Sequence, residues 1–313
     1  MSPSKAPQTT GLVAETLQAF DGLNGGLHRG FRPAHAKGVL LSGVFTPSPG
    51  GQALTIAPHL RRSQTPVTVR LSDFAGVPAI PDNDPNASPR GIAIRFHLAE
   101  HTHTDIIAHS VDGFPTRTAE EFVEFLRAIH ASGPNAPRPT PIESFLATHP
   151  AALRFVQAPK PIPTSFARES FFGVSAYRFM NDEGISKFGR YRIRPDGGGE
   201  YLDAYAAAAK TPNFLFDEIT ARIAKTHVVF RILVQLSAQG DIVDDSTVSW
   251  PEERPQVEFG RIELTGMTPN NEAEQRYIIF DPIPRVDGIA SSGDPLLEPR
   301  ADVYLASGRR RRA

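Results

Sequence analysis

Alternating apolar and polar positions predict several closely spaced β-strands in the first third of the chain. Residues 66–72 alternate with a period of two, so Arg70 and Ser72 are expected on one face and the apolar side chains between them on the other. The same alternation, or a short apolar run, predicts further strands at residues 39–45, 91–98 and 104–110. Strands this close together are typical of an antiparallel sheet or barrel, whereas parallel strands need longer connections.

Helical periodicity predicts fewer elements, the first of them at residues 10–20 before Gly22. Thr118 and Glu121 have the spacing of a capping box, which predicts a helix start at this point. That helix would place four apolar side chains on one face: Phe122, Phe125, Leu126 and Ile129. Further helical pieces are predicted within residues 142–157, 213–226 and 295–306, and further strands at residues 171–180, 187–193, 227–236 and 257–264.

Composition and charge exclude several classes of function. Of the 313 residues, 40% are hydrophobic and 21% charged, the ordinary balance of a soluble domain. The net charge of −1 gives no electrostatic case for binding nucleic acid or an anionic membrane. The absence of cysteine excludes disulfides, thiolate nucleophiles and cysteine-ligated metal sites.

The chain shows no internal repeat and no linker with a shift in composition. We therefore expect one domain over residues 1–313, with an N-terminal helix and loop arm at 1–28 and a basic tail at 309–313. The first ten residues are polar and lack the apolar region of a signal peptide, and no apolar run is long enough to span a membrane. A cytoplasmic protein is expected.

Several patterns that suggest a site fail on closer inspection. Four histidines cluster in sequence, but they lack helical spacing and any cysteine, so we expect hairpin residues and no metal site: His97, His101, His103 and His109. The glycines at 197–199 are not followed by a helix with the Lys-Ser/Thr of a phosphate loop. The chain also lacks the Gly-x-Ser-x-Gly pattern of a hydrolase nucleophile.

Two pairs of residues carry more information. Arg32 and His35 lie between a glycine-rich segment and the first strand, where a lone histidine fits a surface or core position equally well. Arg300 and Tyr304 have i, i+4 spacing and would share a helix face. A guanidinium beside the phenol oxygen would favour a tyrosinate able to bind haem iron, although the spacing alone favours a surface cation–aromatic pair.

Five motifs occur in one order along the chain: Arg-x-x-His-Ala-Lys-Gly at 32–38, Val-Arg-x-Ser at 69–72, Arg-Gly-x-Ala at 90–93, Trp-Pro at 250–251, and a serine-to-tyrosine motif at 292–304. Together they resemble the haem catalase superfamily, in its short, catalase-related peroxidase branch, from about residue 29 to 309. The resemblance implies an α+β fold with an antiparallel β-barrel core and flanking helices. It also implies haem b as the cofactor.

The resemblance assigns roles to individual residues. His35 would be the distal base that moves a proton between the peroxide oxygens, and Ser72 would accept a hydrogen bond from its ring. Tyr304 would bind the iron as tyrosinate, held in that form by Arg300. The haem propionates would pair with three arginines, Arg32, Arg70 and Arg311. Phe122 would pack on the distal haem face, although packing of its helix against the core explains this residue equally well.

Three departures from the family pattern bear on function. True catalases carry a distal asparagine where this chain reads His109-Ser110-Val111, and Ser175 lies near the place of their proximal relay histidine. The chain also lacks their long arm and C-terminal domain, which suggests a more open haem channel. The expected activity is therefore reduction of hydrogen peroxide or organic hydroperoxides by small organic donors, with weak catalase activity.

Other functions stay open. A hydroperoxide isomerase resembling coral allene oxide synthase would place threonine where this chain has Ala34. A haem-storage protein without turnover and a true catalase are the remaining alternatives. Peroxide and a small organic reductant are the expected partners, without nucleic acid or membrane, and the protein is expected to be a monomer or homodimer.

Overall fold

A computed structural model describes residues 7–313, so the first six residues of the predicted arm at 1–28 lie outside the described residues. Within residues 7–313 the α-helices are Pro7–Leu23 (α1), Pro49–Leu54 (α2), Ala119–His130 (α3), Pro141–Thr148 (α4), Pro150–Gln157 (α5), Ala204–Ala208 (α6), Phe214–Ile223 (α7), Asn271–Tyr277 (α8) and Leu297–Arg312 (α9). The strands are Gly38–Pro47 (β1), Thr65–Ser72 (β2), Gly91–Ala99 (β3), Thr102–His109 (β4), Ile162–Pro163 (β5), Phe171–Phe172 (β6), Tyr177–Met180 (β7), Ser186–Pro195 (β8), Tyr201–Leu202 (β9), Val228–Leu236 (β10), Gln256–Met267 (β11) and Ile289–Ser291 (β12).

Eight strands close into an antiparallel barrel. Hydrogen bonds connect them in the order β10-β11-β1-β2-β3-β4-β6-β8, and β8 pairs back with β10 to complete the circle. The strands β7 and β12 continue the sheet from β8, and β5 pairs with β9 in a separate ribbon. The predicted α+β fold with an antiparallel barrel and flanking helices is confirmed.

The period of two in the sequence determines which side chains fill the barrel. One cross-strand row runs from Leu41 through Val69 and Ile94 to Ile106, and all four side chains are buried. Directly opposite residues project to the same face of a sheet. The polar residues of these strands at the alternate positions, Arg70 and Ser72 among them, therefore lie on the outer face of the barrel, where the helices and loops cover them.

The helices pack against the outside of this barrel. Phe20 of α1 meets Phe122 of α3 edge to face, with the ring centroids 5.9 Å apart. Arg310 of α9 donates to both carboxylate oxygens of Asp21 at 2.7 and 3.0 Å. One member of the arginine run at residues 309–312 is thus bound to α1. Helix α9 extends to Arg312, six residues beyond the predicted end at 306. No helix within residues 7–313 combines the length and apolar character that a membrane span requires.

Two local predictions were wrong. The predicted strand at 171–180 is split, because Gly173 donates to the carbonyl of Tyr191 and Tyr177 pairs with Gly189, which leaves two extra residues bulging from the sheet. The capping box at Thr118 is half formed: its hydroxyl accepts from the amide of Glu121 at 3.2 Å, but the carboxylate of Glu121 accepts from the preceding amide of Arg117.

Candidate active site

His35 has a left-handed backbone conformation, with φ at 57°. Histidine is among the few residues other than glycine that adopt this region with some frequency. The conformation is fixed on both sides, since the amide of His35 donates to the carbonyl of Phe74 at 2.6 Å and the amide of Ala36 donates to the carbonyl of Ala75 at 3.0 Å. The short segment before β1 is thus paired with the segment that follows β2, which brings His35 beside Ser72.

The ring of His35 is held by one polar and one aromatic contact. Its Nδ1 lies 3.0 Å from the hydroxyl oxygen of Ser72, and its plane meets the ring of Phe74 edge to face at 5.4 Å. Burial, together with the positive charge of Arg70, lowers the pKa of His35 to about 3. The imidazole is therefore neutral near pH 7 and has one nitrogen able to accept a proton.

Gly91 makes room for this arrangement. It lies in β3 opposite Ser72, and a Cβ atom at this position would come within 2.7 Å of the His35 ring and of the Ser72 hydroxyl. Such a distance is far inside normal contact, so one of the two side chains would have to move. The glycine is therefore a steric requirement of the His35–Ser72 pair.

We predict that Gly91→Ala destabilises the protein by about 1–3 kcal/mol, the usual cost of an overpacked site. It should also lower the rate of peroxide turnover, because the His35 ring is displaced. The matched control is Gly266→Ala in β11, where an added Cβ meets no atom within 4 Å. Urea denaturation and steady-state kinetics check both effects. Wild-type values for both quantities in Gly91→Ala would contradict the assignment.

Three arginines converge on the C-terminal end of α8. Arg32 donates to the carbonyls of Gln275 and Ile278 at 3.2 and 3.0 Å, and Arg311 donates to the carbonyl of Ile278 at 2.9 Å. Arg70 donates to the side-chain oxygen of Gln275 at 3.1 Å. The guanidinium of Arg70 passes over Gly38, where a Cβ would lie 2.2 Å from it.

Among the described residues, no carboxylate is paired with the arginine cluster, Arg32, Arg70 and Arg311, although the more distant Asp73 acts on Arg70. Within residues 7–313, none of the three guanidinium groups has a carboxylate oxygen within 4.0 Å. Burial lowers the pKa of Arg70 to about 9 and that of Arg311 to about 10, and neighbouring arginines contribute in each case. Buried positive charges of this kind are stable when an anion pairs with them, so the cluster fits a ligand that carries carboxylates.

Arg300 and Tyr304 share one face of α9, as their spacing predicts. A terminal nitrogen of Arg300 donates to the Tyr304 hydroxyl oxygen at 3.3 Å. Burial alone would lower the pKa of Arg300, but the neighbouring Tyr304 oxygen outweighs it and raises the pKa above its ordinary value. The guanidinium thus stays charged beside the Tyr304 hydroxyl.

Phe122 belongs to an aromatic cluster on α3. Its ring lies 5.1 Å from that of Phe114 and 5.9 Å from that of Phe20. The side chain is partly exposed in spite of these contacts. Its geometry fits both expectations, a core contact of α3 and a wall of the candidate site.

Several of the predicted site residues lie close enough for their charges to interact. His35, Arg32, Arg300 and Tyr304 each keep part of their surface accessible, although three of them are desolvated enough to shift the pKa. The charge of Arg32 acts on His35, and Tyr304 acts in turn on Arg32. A neutral base, an arginine cluster without a paired carboxylate and a tyrosine beside an arginine therefore lie in one region of the molecule. This donor set fits haem, which carries two carboxylates and an iron atom.

Comparisons with known proteins agree with a haem-binding site. A family model described as Catalase matches residues 30–313. The chain belongs to the catalase family. It is 34% identical over 295 residues to a "Catalase-related peroxidase" of Mycolicibacterium paratuberculosis, a match that covers 93% of this chain and 92% of the relative. A "Catalase-related peroxidase" of Synechococcus elongatus is 30% identical over 298 residues, covering 94% of this chain and 86% of the relative.

Solved catalases share the fold. A fungal catalase superposes with a TM-score of 0.79 at 22% identity, covering 90% of this chain and 59% of that structure. A bacterial catalase gives a TM-score of 0.79 at 22% identity, covering 99% of this chain and 63% of that structure. This chain thus spans roughly three fifths of the length of the solved catalases it matches.

Some residues of the site were missed in the sequence. Gln275 contacts both Arg32 and Arg70, but it lies on α8, a seven-residue helix whose polar sequence gave no helical signal. Gly91 and Gly38 lie within the motifs of the family. Their steric role depends on the side chains packed against them, which are His35 and Ser72 at Gly91 and Arg70 at Gly38. The four clustered histidines have different surroundings. The ring of His97 is hydrogen-bonded to Thr68 at 2.9 Å, and His101 is exposed.

Proposed function

We propose that this member of the catalase family is a haem b-dependent peroxidase that reduces hydrogen peroxide or organic hydroperoxides with small organic donors. The observation that carries the proposal is the combination of the neutral His35–Ser72 pair with the Arg300–Tyr304 pair. The names of the two relatives support the activity. In the overall reaction one hydroperoxide takes two electrons and two protons, its O–O bond breaks, and one alcohol and one water leave.

His35 would move the proton. When Nδ1 carries a hydrogen and donates it to Ser72, Nε2 is unprotonated and free to accept. It would take the proton from the hydroperoxide O–H and return it to the departing oxygen, so that a neutral alcohol or water leaves.

Tyr304, Arg300 and the arginine cluster would hold the cofactor. Tyr304 would be the iron ligand, and Arg300 would keep its oxygen anionic by donation at 3.3 Å. Arg32, Arg70 and Arg311 would pair with the propionates. Haem, when bound, supplies the electrons that cleave the O–O bond and accepts electrons back from the donor. Phe122 would line the distal side.

The missing distal asparagine favours a peroxidase over a catalase. Dismutation needs a second hydrogen peroxide to be held as the reductant, and the chain has His109-Ser110-Val111 where catalases carry that amide. A small organic donor can instead deliver electrons at the haem edge.

We also propose a cytoplasmic monomer or homodimer, in line with the balanced composition.

Donor dependence tests this proposal. Hydrogen peroxide and cumene hydroperoxide should disappear quickly with a phenolic donor and slowly without it, and two molecules of donor should be oxidised by one electron each per hydroperoxide. Oxygen release should be slow. Oxygen release equal to half the hydrogen peroxide lost, without a donor, would identify a catalase. An epoxide formed from a fatty-acid hydroperoxide without donor consumption would identify an isomerase, and either result would overturn the proposal.

A further inference from the structure

His109 lies in the same cross-strand row as the residues that hold His35. Ser72 of β2 is opposite Gly91 of β3, and Gly91 is in turn opposite His109 at the end of β4. Adjacent strands lie about 4.8 Å apart, and opposite residues project to the same face. The side chain of His109 therefore projects to the face on which the His35 ring rests against Gly91.

The protonation of His109 is fixed by a backbone group. The amide of Val111 donates to Nδ1 of His109 at 3.3 Å. An amide N–H can only donate, so this nitrogen carries no hydrogen and the proton of the neutral ring is on Nε2. Burial, together with the charge of Arg300, lowers the pKa of His109 to about 3, so the ring is neutral near pH 7. His109 thus presents a fixed N–H donor.

This donor has no acceptor. The Nε2 atom of His109 is buried and has no hydrogen-bond partner among the residues that the structure describes. The ring of Phe155 meets the imidazole edge to face at 6.3 Å and makes one side of its surroundings apolar. Buried donors are nearly always paired, because an unpaired one costs free energy on folding. An unpaired donor beside a reactive histidine is therefore expected to have a ligand as its acceptor.

We propose that the Nε2–H group of His109 donates a hydrogen bond to an oxygen of the hydroperoxide bound at His35, as a second substrate-binding imidazole. The proposal rests on the proposed function. The two rings differ because of their Nδ1 partners. The hydroxyl of Ser72 can accept a hydrogen from His35 and leave its Nε2 as a base, whereas the amide of Val111 forces His109 to keep its proton on Nε2. One ring moves the proton, and the other holds the oxygen.

Weak dismutation is still expected, because the proposed donor of His109 holds the hydroperoxide that His35 cleaves and not a second hydrogen peroxide. The chain lacks the amide of the true catalases, but it has not lost a distal hydrogen-bond donor. The donor is an imidazole N–H fixed by Val111, with the apolar ring of Phe155 on one side of it.

Fluoride binding to the ferric haem protein tests the donor without turnover. Fluoride accepts hydrogen bonds, and its binding changes the visible spectrum. We expect His109→Leu to raise the fluoride dissociation constant by about tenfold or more, since hydrogen bonds to charged groups are the stronger ones. His109→Gln, which keeps a side-chain N–H, should stay within about threefold of wild type. The control is the exposed His101→Asn, because asparagine tolerates its left-handed φ of 59°.

Kinetics with cumene hydroperoxide give a second measurement. His109→Leu should raise KM more than it lowers kcat, and His109→Gln should restore KM. Should the leucine variant fail to fold, His109→Phe also removes the donor and retains a ring against Phe155. Wild-type fluoride affinity and KM in the donor-free variant would overturn this inference alone, as would a glutamine variant as impaired as the leucine variant. A wild-type protein that takes up no haem would overturn the proposed function as well.

Discussion

Replacing His35 with asparagine should lower kcat/KM for hydroperoxide by about 10²–10⁴-fold, the usual contribution of a general acid–base group. Asparagine removes the base but tolerates the left-handed backbone of this position, whereas alanine would add strain. The hydrogen bonds of the backbone of His35 to Phe74 and of Ala36 to Ala75 should persist. The loss is therefore expected in the chemical step, mainly in kcat.

Haem content separates this effect from a loss of the cofactor. The arginine cluster and Tyr304 are unchanged in His35→Asn, so its Soret absorbance per protein should equal that of the wild type. Ser72→Ala should give a smaller loss in kcat/KM, because it frees the His35 ring but leaves the base in place. Donor oxidation at the wild-type rate in His35→Asn would rule out His35 as the base.

Tyr304→Phe should abolish peroxide turnover and weaken the retention of haem. The variant removes one oxygen atom, the one that Arg300 donates to, and keeps the ring on α9. Phenylalanine has no atom that can bind iron, so the ferric spectrum should lose its tyrosinate character. Arg300→Leu should cost about 10–100-fold in activity, the usual effect of removing a residue that orients a metal ligand.

The matched control is Tyr205→Phe on α6, since Tyr205 is 88% exposed and lies in no site. It should behave as wild type in haem content, spectrum and turnover. A Tyr304→Phe variant with the wild-type ferric spectrum would show that Tyr304 is not the iron ligand. The arginine cluster would then be the only anchor of the cofactor in this account.

The barrel could be predicted because its strands obey a period of two over several residues. The alternation in β2 correctly placed Arg70 and Ser72 on the face opposite the core, and the structure confirms this through the buried row at Val69. Local exceptions were missed where tertiary contacts override the pattern. The bulge after Gly173 depends on pairing with Tyr191, and the extension of α9 depends on the docking of Arg310 against Asp21.

The candidate site was also predictable only in part. Motif order named His35, Ser72, Arg300 and Tyr304, and the structure brings each pair within hydrogen-bond distance. The roles of these residues in turnover stay predictions, as does the division into one domain with an arm and a tail. Contacts that join distant segments had no signal in the sequence.

Gln275 and His109 are two residues whose roles depend on such contacts between distant segments. Gln275 matters because α8 places it between two arginines that lie far away along the chain. His109 was considered with three other histidines as a possible metal cluster. The sequence also places it where true catalases carry the distal asparagine, but its role as a donor appears only when the register puts it opposite Gly91 and the Val111 amide fixes its proton.

The most direct test of the account is the absorption spectrum of the protein purified from haem-supplemented cells, before and after one equivalent of cumene hydroperoxide. We expect a ferric Soret band of tyrosinate type that bleaches with the hydroperoxide and recovers when a phenolic donor is added. The absence of any Soret band, even after reconstitution with haemin, would contradict it, because the arginine cluster, Tyr304 and His35 would then hold no cofactor.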